Sequence, residues 1–372
     1  MKLNLACLIL PCACALAQPP GTNYDESKVP PYKLPPLLVM QNGARVQNAA
    51  GWTKRRAEVL ALLESQMMGR APGRPEKLAF ELASIDKAAL GGKAVRKEVS
   101  IQAQGKKFSL LLYLPVQVKG PAPVFVSLGF GPNQGVHPDP GIHLAGMWVQ
   151  DKETKAIVLR PAQESSRGSA ASRWQLETLL ARGYGLAVIY YGDIEPDING
   201  GMGQGIRAQY PKPDDAGWGA ISAWAWGLSR AVDYLETDKD VDPRRLALVG
   251  HSRLGKTALW AGAMDTRFAL VISNDSGEGG AAISRRRFGE TVANLNDRFP
   301  HWFCANYRQY SGKEDAMPFD SHMLLALIAP RPLYVASAQD DQWADPKGEF
   351  LINAYDWEQY LEFADRWLKG AH

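Results

Sequence analysis

The segment LALVGHSRLGKTALWAGAMD, Leu246 to Asp265, constrains the fold more than any other stretch of the chain. Four apolar residues run into Gly250-His251-Ser252-Arg253-Leu254-Gly255, and a helix-forming run rich in Ala and Leu follows at once. A buried strand that turns within a few residues into a helix is the repeating unit of α/β proteins. Other segments repeat it. SRWQLETLLARG reads as a helix before the buried strand YGLAVIYYG, and the helical WGAISAWAWGLSRAVDYLE precedes the strand RRLALVG. FALVISN and RPLYVAS supply two later strands, VSIQAQ, FSLLLYLP and APVFVSLGF three earlier ones, and TKRRAEVLALLESQMMG is an early helix. Near-continuous apolar strands separated by helices predict a three-layer sandwich around a mostly parallel sheet.

The first residues, MKLNLACLILPCACALAQ, combine a lysine, a short apolar run and Ala15-Leu16-Ala17. That pattern predicts a signal peptide over residues 1–17 and an exported protein, secreted or periplasmic. Without a domain-type linker, residues 18–372 are expected to form a single domain and a monomer, led by an extended Pro-rich stretch from Gln18 to Pro36. Cys7, Cys12 and Cys14 leave with the peptide, so Cys304 stands alone and no internal disulfide is expected. Stability must then come from a core, which a chain of roughly 350 residues can bury. A net charge of +3 without basic blocks gives no support for nucleic-acid binding, and no apolar run predicts a membrane span. No His/Cys/Asp cluster has metal-ligand spacing, and no cofactor is expected.

Strand, Gly-His-Ser-Arg-Leu-Gly, helix is the layout of the nucleophile elbow in α/β-hydrolases. A serine on a strained turn lifts its oxygen above the sheet, and the helix N-terminus offers amides to an oxyanion. The bland alternative is a serine that caps a helix. Two cations argue against it: Arg253 adjoins the serine, where it can aid the oxyanion, and Lys256 lies one turn on, within reach of a substrate oxygen. They suit an oxygen-rich or acidic substrate. Three carboxylates are placed to serve as the triad acid: Asp275 past FALVISN, Asp341 past RPLYVAS, and Glu278 in SGEGG. Each has the alternative of a turn-stabilising loop carboxylate.

GHSRLGK resembles the G-x-S-R-x-G-K signature of the glucuronoyl esterases, carbohydrate esterase family 15. The likeness extends through YYGDIEPD, SNDSGEGGAA, RFPHWFCANY, PFDSHMLLALIAPRPLYVAS and DDQWADPKGEF. The resemblance implies an α/β-hydrolase that cleaves esters of glucuronic or 4-O-methylglucuronic acid, as in lignin–xylan cross-links. It implies that Ser252 is the nucleophile, that Arg253 aids the oxyanion, and that the acid stands at Asp275 or Asp341. It further assigns sugar contacts to Trp343 and Glu290 beside Lys256. A glucuronate-bearing carbohydrate is the expected partner.

The family's catalytic histidine follows a last strand, on a segment between a GEFL-like sequence and a YDWEQYLEFAD-like helix. Here Leu351-Ile352-Asn353-Ala354 joins the two flanks directly, so that strand is expected to be missing. The side chain of His251 should point away from the serine. His137 and His143 precede the elbow, His301 and His322 precede the last expected strand, and His372 ends the sequence. Three readings remain open: an esterase with a relocated base such as His322, a uronate-binding protein without turnover, or an esterase of other specificity.

Overall fold

The computed structural model describes residues 22–211, 214–337, 341–345 and 354–369. The expected signal peptide, the junction Leu351-Ile352-Asn353 and His372 lie outside them. Among the described residues there are ten strands: β1 Leu78–Ala88, β2 Ala94–Ala103, β3 Lys106–Pro115, β4 Ala122–Gly129, β5 Met147–Gln150, β6 Ile157–Arg160, β7 Gly185–Tyr190, β8 Val241–His251, β9 Leu270–Asn274 and β10 Leu333–Ala336. Eight form one sheet in the order β1-β2-β3-β7-β4-β8-β9-β10, and β5 and β6 make a separate hairpin. The sheet is mixed. From β1 to β7 neighbours run antiparallel, and from β7 to β10 they run parallel.

Strand alternation builds the layers. In β8, Leu246 and Leu248 enter one core while Ala247 and Val249 enter the other. In β4, Val124 and Val126 face the first core and Phe125 the second. The first core is closed by the helices Ala49–Leu63, Ala220–Leu235, Arg253–Met264 and Ser321–Ala326. The second is closed by Leu176–Ala181 and Ala354–Leu368, the latter through Trp357, Tyr360 and Leu361. No helix among the described residues is long and apolar enough to cross a membrane.

Three local expectations need correction. SRWQLETLLARG is two helices, Ala171–Trp174 and Leu176–Ala181, because Gln175 takes φ +43° between them. The break frees the Arg173 carbonyl, which accepts the Trp357 indole N–H at 2.6 Å. β1 went unread because it is an edge strand, exposed along most of its length and bulged between Leu82 and Ser84, which blurs its period. The loop expected after β4 contains the β5–β6 hairpin. At the opposite edge, β10 pairs with β9, and among the described residues no strand lies beyond it.

Trp357 is 1% exposed and meets Phe125 edge-on at 5.3 Å, so it ties the last helix to the sheet. Trp357→Ala is expected to cost about 3–5 kcal/mol of stability, read from urea unfolding midpoints.

Candidate active site

The corner after β8 is strained in the way an exposed nucleophile requires. Ser252 has φ +55° and ψ −128°, and its N–H donates to the Asn274 carbonyl at the end of β9 at 2.9 Å. A Cβ on Gly250 would stand 2.0 Å from the Leu254 carbonyl oxygen, and one on Gly255 would stand 2.8 Å from that of Asn274. The second glycine therefore falls one residue later than in G-x-S-x-G. It is Gly255 that presses on the end of β9, while Leu254 turns into the core. Ser252 is half-buried, and its Oγ makes no hydrogen bond among the described residues.

Arg253 is locked from several sides. Its Nη1 donates to Asp197, which also accepts the Trp302 indole N–H at 2.6 Å and the Tyr191 hydroxyl at 3.1 Å, and pairs with His301 Nε2 at 2.9 Å. The guanidinium lies 4.9 Å from the Trp302 ring, 5.4 Å from Phe299 and 5.9 Å from Phe130. Burial alone would raise the Asp197 pKa, but the His301 hydrogen bond, the Arg253 charge and the Trp302 indole together hold it well below the usual carboxylate range. Arg253 Nε is buried without an acceptor among the described residues.

Lys256 is not a solvated lysine. It is 3% exposed, donates to the Ser276 carbonyl at 2.8 Å and lies 3.6 Å from Glu290. Its ammonium also lies 5.7 Å from the Trp302 ring, so one indole receives both cations. Burial raises the Glu290 pKa, with Lys256 and Arg298 opposing. The Glu290 N–H donates to the Trp343 carbonyl at 2.8 Å, and Arg298 covers the Trp343 ring at 5.4 Å. Gly289, at φ +64°, permits this contact, since a Cβ there would lie 2.4 Å from the Trp343 carbonyl oxygen. The structure thus joins Arg253 and Lys256, on the first turn after Ser252, through Trp302, and links Lys256 to Glu290 and Glu290 to Trp343.

The acid candidates differ. Asp275, at φ +43°, lies 4.0 Å from His251 Nδ1 and donates its N–H to the Ala336 carbonyl. Asp341 Oδ1 accepts the Trp343 and Ala344 amides at 2.7 and 3.2 Å, and Oδ2 is buried with no hydrogen-bond partner among the described residues. Glu278 belongs to a network of its own, accepting from Ser284 Oγ at 2.6 Å, Gly279 N–H at 3.0 Å and Tyr307 Oη at 3.2 Å.

No described histidine hydrogen-bonds Ser252 Oγ. His251 pairs with Asn274 Oδ1 at 2.5 Å and packs on Phe130. His322 does not take the base's place in this geometry: its Nε2 meets the Pro35 carbonyl at 2.9 Å, on the N-terminal lead-in. His301 is held by Asp197, His137 accepts the Asp139 amide, and the His143 amide is bound by Glu98. Asp197, Trp302, Phe299 and Tyr191 were not singled out from sequence. The available signal was that two polar loop segments, YYGDIEPD and RFPHWFCANY, carried part of the likeness.

Residues 208–356 match the family described as glucuronyl esterase, fungi. A protein from an unknown prokaryotic organism, carbohydrate esterase MZ0003, is 47% identical over 95% of this chain and 94% of its own length. A solved glucuronoyl esterase from Solibacter usitatus is 48% identical, covers 92% of this chain and 100% of its own, and superposes with a TM-score of 0.87. The chain belongs to the glucuronoyl esterases. Another solved member of the family, a promiscuous CE15 esterase from the marine bacterial metagenome, is 45% identical, with a TM-score of 0.85 over 94% of this chain and 100% of that one. The alignment with the prokaryotic carbohydrate esterase runs over 407 positions, more than the 372 residues here, so that relative carries stretches without a counterpart.

Burial pushes the Glu278 pKa up to about 8, with Ser284 opposing and Asp320 and Glu290 adding to it. The unfolded carboxyl ionises near pH 4.5, so between that value and about 8 the folded protein holds a proton that the unfolded chain has released. Stability from this group therefore falls as pH rises through that window and is flat below it. Glu278→Gln is expected to remove the fall. Urea unfolding at about pH 5 and about pH 8 should show wild type losing on the order of 3 kcal/mol more than the variant.

Proposed function

We propose that the chain is a serine-type carboxylic ester hydrolase acting on esters of (4-O-methyl-)glucuronic acid, of the kind that join lignin alcohols to glucuronoxylan. The observation that carries this reading is the strained Ser252 flanked by two fixed cations, Arg253 on Asp197 and Lys256 on Glu290. Ser252 Oγ attacks the ester carbonyl and forms the acyl bond while the alcohol leaves with a proton. Water then releases glucuronate. The developing oxyanion is met by the Arg253 and Leu254 amides that open the helix Arg253–Met264, those of Gly255 and Lys256 being taken by the Ser252 carbonyl, and by the spare Arg253 N–H groups. Lys256, Glu290 and Trp343 hold the sugar. Export, expected from residues 1–17, belongs to the same reading, because polymeric esters of this type lie outside cells.

The serine proton has no histidine in hydrogen-bonding reach among the described residues, and that favours slow turnover with binding intact. A serine without its base loses about 10⁴-fold or more in rate, and the oxyanion donors sustain a residue of activity. Benzyl glucuronate hydrolysis by purified protein is expected to be weak, to fall further in Ser252→Ala, and to be unchanged in His322→Ala. Robust turnover abolished by His322→Ala would reverse the assignment of the base.

Binding is tested separately. Glucuronate is expected to bind more tightly than glucose or xylose, and Lys256→Ala is expected to remove that preference, a loss of about tenfold or more for one charged hydrogen bond. Calorimetric titration with the three sugars reads it. Equal affinities in wild type would end the uronate reading.

A further inference from the structure

A cavity of 510 Å³ opens between the loop after β4 and the β5–β6 hairpin, within the size range of ligand sites. Phe130, Trp174 and Met147 give it apolar walls, and Arg160 and Arg173 also line it. Phe130 is the link to the serine. The Arg253 guanidinium lies 5.9 Å from that ring and the Arg173 guanidinium 5.8 Å from it. Arg173 and Trp174 also border the small space that reaches His251. The cavity therefore adjoins the elbow without including any residue assigned to the ester chemistry.

The two arginines stand out by what they lack. Several arginines in the fold are satisfied: Arg167 by Glu164 and two carbonyls, Arg207 by Glu195 and the Trp218 carbonyl. Arg56 and Arg331, which have no carboxylate, take backbone carbonyls instead. Among the described residues the Arg173 guanidinium has neither, and its pKa is lowered by burial with nothing opposing. Arg160 interacts with Asp151 only beyond ion-pair distance. A half-buried guanidinium without an anion is costly, and Arg173, with the exposed Arg160 on the same apolar cavity, describes a site for a negative group.

We propose that this cavity is a second binding site, and that it takes a carboxylate carried on a ring. The ring lies against Trp174 and Phe130 and the carboxylate meets Arg173 and Arg160. A uronic sugar and an aromatic acid share that chemistry, and either would bring an acidic part of a larger substrate beside Ser252. The site needs no turnover, so its test is independent of the esterase reading.

The test uses the full-length Lys256→Ala protein, in which the primary uronate contact is weakened, titrated by calorimetry with D-glucuronate and with benzoate. At least one should still bind saturably, and adding Arg173→Gln and Arg160→Gln should weaken it by about tenfold or more. The ligand that binds identifies the source. Should the triple variant fail to fold, Arg160→Gln alone, at an exposed position, is expected to weaken binding measurably. No saturable binding of either ligand to the Lys256→Ala protein, or binding untouched by the arginine substitutions, overturns the proposal.

Discussion

Arg253 follows Ser252 on a corner where an unrestrained guanidinium would swing across the nucleophile or out into water. The buried carboxylate of Asp197 prevents both. A buried charge survives when its partner and its remaining hydrogen bonds are supplied together, and Asp197 receives Arg253, His301, Trp302 and Tyr191 at once. The loop that carries it is fixed in turn. Two residues earlier, Glu195 is fully buried against Arg207, and its carbonyl accepts the Trp224 indole N–H at 2.8 Å. Gly205 packs so closely that a Cβ would stand 1.7 Å from Glu195 Oε2. The position of one cation beside the serine is thus inherited from a polar loop between β7 and the helix Ala220–Leu235.

Charge balance then decides what the site can attract. Lys256 lies 3.6 Å from Glu290, and Glu278 is among the groups that act on both. Were Glu278 ionised at neutral pH, Lys256 would face two carboxylates and have little field left for a substrate. Full burial, with the Asp320 and Glu290 carboxylates adding to it and against the opposing Ser284 hydrogen bond and Lys256 charge, keeps Glu278 a neutral acid up to about pH 8. Arg253 is paired once and Lys256 once, and each retains donors. A positive residue of charge in a partly dry cleft favours a substrate that is rich in oxygen.

The elbow was legible in sequence because its determinants are local: an apolar strand, two glycines that nothing larger can replace, and a helix within a dozen residues. The layers were legible for the same reason, since β8 and β4 alternate between two cores residue by residue. What escaped was everything made by distant pairing. Asp197 precedes Arg253 by 56 positions and sits in a segment whose composition says only that it is a loop. Trp302 reads as one of eleven tryptophans until both cations are seen on it. Glu290 and Trp343 were reachable through resemblance alone, because the contact between Gly289 and residues 342–343 that unites them leaves no periodic trace. β1 was missed because an edge strand wet on most of its length loses its alternation.

The acid side of the site is where satisfied hydrogen bonding stops. Asp341 stands just past β10, the strand that ends the sheet among the described residues. One of its oxygens stabilises its own turn and the other is buried without a donor among the described residues. An unpaired buried carboxylate oxygen costs more than the turn returns, so such an oxygen is more often half of an interaction than a resting arrangement. In the family that this chain belongs to, the resemblance puts a histidine from a following strand in that neighbourhood, and a relative of nearly half identity aligns over more positions than this chain has. Ser252, Arg253 and Lys256 rest on β8, β9, the Asp197 loop and Trp302, whereas Trp343 stands past β10 in the same turn as Asp341. The serine corner with its two cations is therefore separable from the sheet's far edge, and a change beyond β10 bears first on Asp341 and Trp343 while that corner keeps its supports.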